Sequence, residues 1–203
     1  GLAGNPDSLL AATRPRQAAC SARVAELAND PSNNLISIYT DGSALGNPGP
    51  TGAGIWITIP SIKTQILISV AVGNFDNNLG EMLALKVALQ CAARIISPLR
   101  TAIFTDSLAC MNYLSNHWPS PTEASLSRRT RKIFRGFLNT EKPVIYWIRG
   151  HTGVPGNEIA DQLAKKGATR STCKPNSVEI QYISCEPDIM ERISLKEVRK
   201  WIT

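Results

Sequence analysis

Along this chain the pattern of apolar and polar positions changes character at Leu35. Before it, residues 17–28 are rich in helix formers and run into the breaker Asn29-Asp30-Pro31-Ser32-Asn33-Asn34, so residues 1–34 read as an extension carrying one helix. From Leu35 onward come three β-prone runs, at 35–40, 54–59 and 63–72, separated by turns rich in Gly, Pro and Asn. Such runs predict an antiparallel meander. Residues 79–96 are apolar on almost every side, with Ala and Leu dominant and Pro98 as the stop, which predicts a helix buried against a sheet.

The second half alternates. Residues 101–105 predict a short strand, and Asp106-Ser107 stand where a further helix would start. Residues 125–138 put Leu126, Ile133 and Phe137 on one helical face and Arg128, Lys132 and Arg135 on another, an amphipathic basic helix. A fifth strand is expected at 144–148, then a loop at 150–156 and a helix at 157–168. Residues 169–203 read as a polar tail ending in a short helix. A meander followed by β/α alternation predicts an α/β domain with one mixed five-stranded sheet flanked by helices. The expected organisation is an extension at 1–34, a catalytic domain at 35–170 and a tail at 171–203.

Composition adds little to the fold but narrows the partners. The 203 residues are 43% hydrophobic and 19% charged, ordinary for a chain that builds a core. A net charge of +6 and a pI near 9.2 favour a polyanionic partner without identifying it. The five cysteines, Cys20, Cys91, Cys110, Cys173 and Cys185, are odd in number and form no CxxC pair, which argues against a disulfide framework or a structural zinc site. The expected setting is intracellular, in cytoplasm or nucleus, with no membrane partner, because no stretch approaches the ~18 apolar residues a span requires.

Four acidic residues carry the chemistry. Asp41 follows the first strand, Glu81 lies in the long helix, Asp106 follows the fourth strand and Asp161 lies in the late helix. Each has an ordinary structural reading: a turn for Asp41-Gly42, a dipole-favoured position for Glu81, a helix cap for Asp106, and an i,i+4 partner of Lys165 for Asp161. In a mixed sheet, however, strand ends and adjoining helices can converge. Carboxylates gathered at one spot repel each other unless a cation sits among them, and hard oxygen ligands suit Mg²⁺, with Mn²⁺ as a substitute. Two such ions could clamp the attacking water and the leaving oxygen of a phosphodiester.

The local wording of these motifs resembles the type 1 ribonuclease H family. Tyr39-Thr40-Asp41-Gly42-Ser43 with Leu45-Gly46-Asn47-Pro48-Gly49-Pro50 is similar to its first-strand motif and hairpin turn. Asn77-Asn78 ahead of Glu81 is similar to its helix entry, and Phe104-Thr105-Asp106-Ser107 to its second aspartate motif. Gly150-His151-Thr152-Gly153, Gly156-Asn157-Glu158 and Ala160-Asp161 are similar to its C-terminal signature. The resemblance implies a ribonuclease H-like fold and an endoribonuclease that hydrolyses the RNA strand of RNA/DNA hybrids, leaving 5′-phosphate and 3′-hydroxyl ends.

It also implies roles. Asp41 would bridge both metals, Glu81 and Asp106 would complete the shell on the leaving-group side, and Asp161 would hold the metal that activates water. His151 would assist proton transfer or product release from a loop. Gly42, Ser43, Asn47, Asn77 and Asn157 would contact substrate, the asparagines meeting the minor groove or the catalytic glutamate. The separate basic protrusion of bacterial members is not evident in this sequence, and the basic helix with Arg128, Lys132 and Arg135 would substitute for it on phosphates. Asp76 departs from the pattern, standing where many members place a small hydroxyl residue on a DNA phosphate. Leu108 departs too, standing where some have Gln. The wording over 150–167 is similar to domains encoded by retrotransposons without long terminal repeats, which implies a larger polyprotein with a reverse transcriptase domain as partner. Two other functions fit the same residues: a catalytically retired module binding hybrid or double-stranded RNA, and a nuclease of related architecture acting on DNA.

Overall fold

The computed structural model describes Val24, Glu26, Leu27 and residues 34–95, 97, 99–115, 124–138 and 141–184. Strands β1 (Ile36–Ala44), β2 (Gly49–Ile59) and β3 (Thr64–Phe75) form the expected antiparallel meander. Helix α1 (Asn77–Ala92) leads to β4 (Thr101–Thr105), and helices α2 (Leu108–Ser115) and α3 (Ala124–Gly136) lead to β5 (Val144–Trp147). Helix α4 (Pro155–Ser171) and strand β6 (Ser177–Ser184) complete the order. β4 pairs parallel with β1, and β5 parallel with β4.

The sheet has six strands, in the order β5-β4-β1-β2-β3-β6, so the expectation of five is corrected. The sixth lies in the segment read as polar tail. β6 pairs antiparallel with β3, setting Val178 opposite Val70 and Ile180 opposite Ile68. Its other face carries Ser177, Glu179 and Gln181, with Ile183 exposed at the far end. Glu179 forms ion pairs with Lys166 and Arg170 of α4, at 2.7 and 3.3 Å.

Side chains alternate across the sheet, so each face packs its own helices. One face carries Ile36, Ile38, Ile55, Ile57, Ile66, Ile68 and Ile103, buried with Met82, Leu85 and Leu89 of α1. The opposite face carries an aromatic row, Trp56, Tyr39, Phe104 and Tyr146, one from each of four adjacent strands. Successive rings stack with centroids 5.4, 4.8 and 5.5 Å apart. α4 lies on this side. Val24 is buried with the same cluster and Leu27 packs against it, which docks the described part of the extension on the aromatic face. Val24, Glu26 and Leu27 are helical; the remainder of the helix expected at 17–28 lies outside the described residues, as does the short helix expected near the C-terminus.

Element ends follow local chemistry. Asp76 caps α1, its carboxylate accepting from the Leu79 N–H at 2.9 Å. The helix ends at Ala92 rather than 96, because Arg94 N–H turns back to Cys91 in a tighter i−3 bond. α4 starts two residues earlier than expected, with Pro155 in its first turn where a missing N–H is harmless. Among the described residues, no helix is long and apolar enough to cross a membrane.

Candidate active site

Three of the four acids converge. Asp41 lies within β1, Glu81 one turn into α1 and Asp106 directly after β4. One carboxylate oxygen from each lies within 4.8 Å of the others. β1 and β4 are parallel neighbours, so their C-terminal ends meet at one edge of the sheet, where α1 begins. α1 can come this close because residue 42 is glycine. A Cβ there would collide with the backbone of Gly80 and Glu81, forcing the helix off the strand.

The backbone holds each acid in place. Gly42 N–H donates to Asp41 Oδ1 at 2.8 Å. Ser107, not Asp106, caps α2: its Oγ accepts from Cys110 N–H at 3.2 Å, leaving the Asp106 carboxylate free to face the cleft. The cap expected at Asp106-Ser107 therefore falls one residue later than its acid. Trp147 Nε1 donates to the Asp106 carbonyl at 2.9 Å, and Asn157 Nδ2 donates to Asp106 Oδ2 at 3.1 Å. Trp147 was not visible as a site residue from sequence, since only the β4–β5 pairing brings its indole to Asp106.

Gathering these groups is electrostatically unfavourable. Asp41 is raised to about 7, by burial first and then by the Asp106 charge. Glu81 is raised well above the ordinary range by burial and by the charges of Asp41 and Asp106. Glu81 Oε2 is buried without a hydrogen-bond partner. An unpartnered buried oxygen within a cluster of mutually repelling carboxylates is the donor set of a hard divalent cation, and the residues present fit one.

Asp161 stands slightly apart. It lines the same cleft of about 380 Å³ as the three acids, together with His151 and Asn77. Its Oδ2 accepts from Lys165 Nζ at 2.6 Å, the i,i+4 pair that its spacing allowed. His151 is exposed on the 150–153 loop, with a left-handed backbone at φ 54. Leu108, the first residue of α2, also lines the cleft and is largely exposed.

Other expected substrate contacts are placed differently. Asn157 is buried and meets Asp106, not the glutamate or the open groove. Asn47 Oδ1 accepts from Asn77 N–H at 3.0 Å, tying the β1–β2 hairpin to the start of α1. Ser43 sits on β1 opposite Gly52, half-buried. The Asp76 carboxylate, expected to face a DNA strand, is turned to the backbone as a helix cap. Arg128, Lys132 and Arg135 do not reach the acids: with Arg131 they line a separate basic concavity on α3.

The family model for RNase H matches residues 33–169. Ribonuclease HI of Pasteurella multocida is 32% identical over 151 residues, which span 68% of this chain and 92% of that protein. RNase H1 of the halophilic archaeon Halobacterium salinarum aligns with a TM-score of 0.53 and 26% identity, over 66% of this chain and 98% of that one. LC11-RNase H1, isolated from compost, in complex with an RNA/DNA hybrid aligns with a TM-score of 0.52 and 26% identity, over 64% of this chain and 97% of that one. The matched span contains all four acids, the aromatic row and both motif-bearing loops, and the chain belongs to the ribonuclease H family.

Proposed function

We propose that this chain is an endoribonuclease that hydrolyses the RNA strand of RNA/DNA hybrids, leaving 5′-phosphate and 3′-hydroxyl ends. The observation that carries the reading is the convergence of Asp41, Glu81 and Asp106 from three separate elements of a ribonuclease H domain, with a buried Glu81 oxygen that lacks a partner. Asp41, Glu81 and Asp106 would hold divalent ions, Mg²⁺ or Mn²⁺, with Asp161 joining once its bond to Lys165 opens. When bound, such ions supply an activated water and charge stabilisation at the leaving oxygen.

The protein's own contribution is position. Asp41 is fixed by Gly42, and Asp106 is fixed from two sides by Trp147 and Asn157. Both carboxylates are therefore set to hold the ions without further ordering. His151, exposed on its loop at the mouth of the cleft, takes or gives a proton at the departing group. Asn77 lines the cleft where α1 begins, and its amide can read an RNA 2′-hydroxyl.

Incubation of the purified chain with labelled RNA/DNA, RNA/RNA and DNA/DNA duplexes, with Mg²⁺ or EDTA, tests this. Cleavage of the hybrid alone, dependent on Mg²⁺, is expected. Equal cutting of DNA/DNA returns the nuclease to the DNA-acting class, and binding without cleavage identifies a retired module. The wording over 150–167 supports a second part of the proposal, a source in a reverse-transcribing polyprotein with a reverse transcriptase domain as partner. The buried free thiol of Cys91 supports an intracellular setting.

A further inference from the structure

The basic stripe on α3 has no part in the acid cleft. Arg128, Arg131, Lys132 and Arg135 occupy positions i, i+3, i+4 and i+7, one contiguous helical face, and line a concavity of about 550 Å³ that contains no carboxylate. Arg128, Lys132 and Arg135 are exposed, and among the described residues none of the three is paired with an acid. The opposite face of the helix explains its folding: Ser127 and Thr130 are buried, and Leu126, Ile133, Phe134 and Phe137 pack on the core. Folding does not explain the exposed Arg128, Lys132 and Arg135, since like charges on two turns repel.

Topology separates this stripe from the acids. Lys132 and Gly136 also border a cavity formed by Ala92, Ala93 and Ile95 at the C-terminal end of α1 and by Arg100 and Thr101 at the N-terminal end of β4. The acids sit at the other ends of the same two elements, Glu81 in the first turns of α1 and Asp106 just after β4. Eleven helical residues from Glu81 to Ala92 span roughly 16 Å. Lys86 of α1 is half-buried, and burial first, then the charge of Arg129 on α3, holds its ammonium below the ordinary pKa.

We propose that the stripe Arg128, Arg131, Lys132 and Arg135 is a second site for a nucleic-acid backbone, holding strand that continues beyond the stretch being cut. Its recognition is by phosphate charge and is indifferent to sequence, because the concavity offers guanidinium and ammonium groups and no aromatic ring for bases. The inference rests on the hybrid-cleaving reading for what occupies the cleft, but the contact itself needs no cleavage.

The test is binding in EDTA, read by fluorescence anisotropy across a salt series. Two probes are used: a hairpin-closed hybrid of about 8 base pairs, and the same hybrid carrying a flexible single-stranded DNA tail of about 20 nucleotides. The tail should tighten binding to the wild-type chain roughly tenfold. Combined Arg128→Gln, Lys132→Gln and Arg135→Gln substitution should remove that gain and lower the salt slope on the tailed probe by about 2 units, at ~0.7 per lost contact. Affinity for the untailed hybrid should stay within about twofold. The single change Arg135→Gln, with an intact helical spectrum, should lose about a third of the slope difference. A tail without effect on the wild type overturns the proposal, as does a gain that survives neutralisation. Equal weakening of both probes would make the stripe part of the grip at the acids. Because cleavage is absent from the readout, failure to cut any hybrid in Mg²⁺ sinks the activity while leaving this result legible.

Discussion

Asp41 is held at 7% exposure beside two other carboxylates, and the consequence can be followed in stability as well as in turnover. In the unfolded chain it ionises near 3.8; in the folded chain it keeps its proton to about pH 7. The folded form therefore binds more protons between those values, and stability falls as pH rises from about 4 to about 7. Asp41→Asn removes that fall. In EDTA at pH 8 the variant should be more stable than wild type by on the order of 2 kcal/mol, below the ~4 kcal/mol of the full shift because a desolvated amide remains. The difference should vanish near pH 4, and a gap in melting temperature that ignores pH would show that the repulsion is not the cause. The same variant should lose more than about a hundredfold in hybrid cleavage, since it removes charge from a ligand position. His151→Ala should differ in both respects. Its ring is exposed, so melting should not move, while turnover should slow about tenfold. If the two variants lose activity equally, the division of roles between them is wrong.

At the scale of elements, the site depends on how closely α1 approaches β1. Gly42→Ala would place a methyl group against the Gly80 and Glu81 backbone, which has no side-chain freedom with which to yield. Expected is a loss of about 3 kcal/mol in urea unfolding, with cleavage falling further than the folded fraction alone explains, because Glu81 moves away from Asp41. Retained activity in the folded fraction would show that the acids tolerate a wider spacing. The meander, α1, β4, α3 and β5 were legible from the sequence because each buries one face or all of its surface, giving a period of 2, a period of 3.6 or an unbroken apolar run. β6 was missed for the complementary reason. Its apolar positions Val178 and Ile180 alternate with Glu179 and Gln181, a half-polar edge whose pattern is faint in a segment otherwise rich in polar residues. The four acids and the glycine loops were legible as motifs. What two of them touch was not: that Asn157 grips Asp106 and that Ser107 takes the cap are matters of strand pairing across 51 residues and of side-chain rotation within one turn, whereas the Asp161–Lys165 pair follows from i,i+4 spacing.

For the molecule as a whole, β6 decides where the folded unit ends. The family match stops at residue 169, inside α4, yet β6 covers the edge of β3 along eight paired positions from Thr64 to Ala71. Arg170 is tied into the same corner: its guanidinium donates to the Ser69 carbonyl at 2.7 Å and to Ser177 Oγ at 2.9 Å, and it pairs with Glu179. Removing β6 would uncover a long, flat strand edge with Ile66 and Ile68 behind it, and leave a half-buried guanidinium with fewer acceptors. A chain ending at Cys173 should therefore be less stable than one ending at Ser184 by about 3–5 kcal/mol, from several ladder bonds near 1 kcal/mol each and the packing of Val178 and Ile180. That corresponds to a drop of roughly 10 °C or more in melting temperature, with a tendency to self-associate through the exposed edge of β3. Comparing these two truncations isolates the strand from everything that follows it. If both melt within a degree or two of each other and both stay monomeric, β6 is an accessory to the sheet, and the unit that folds ends with α4.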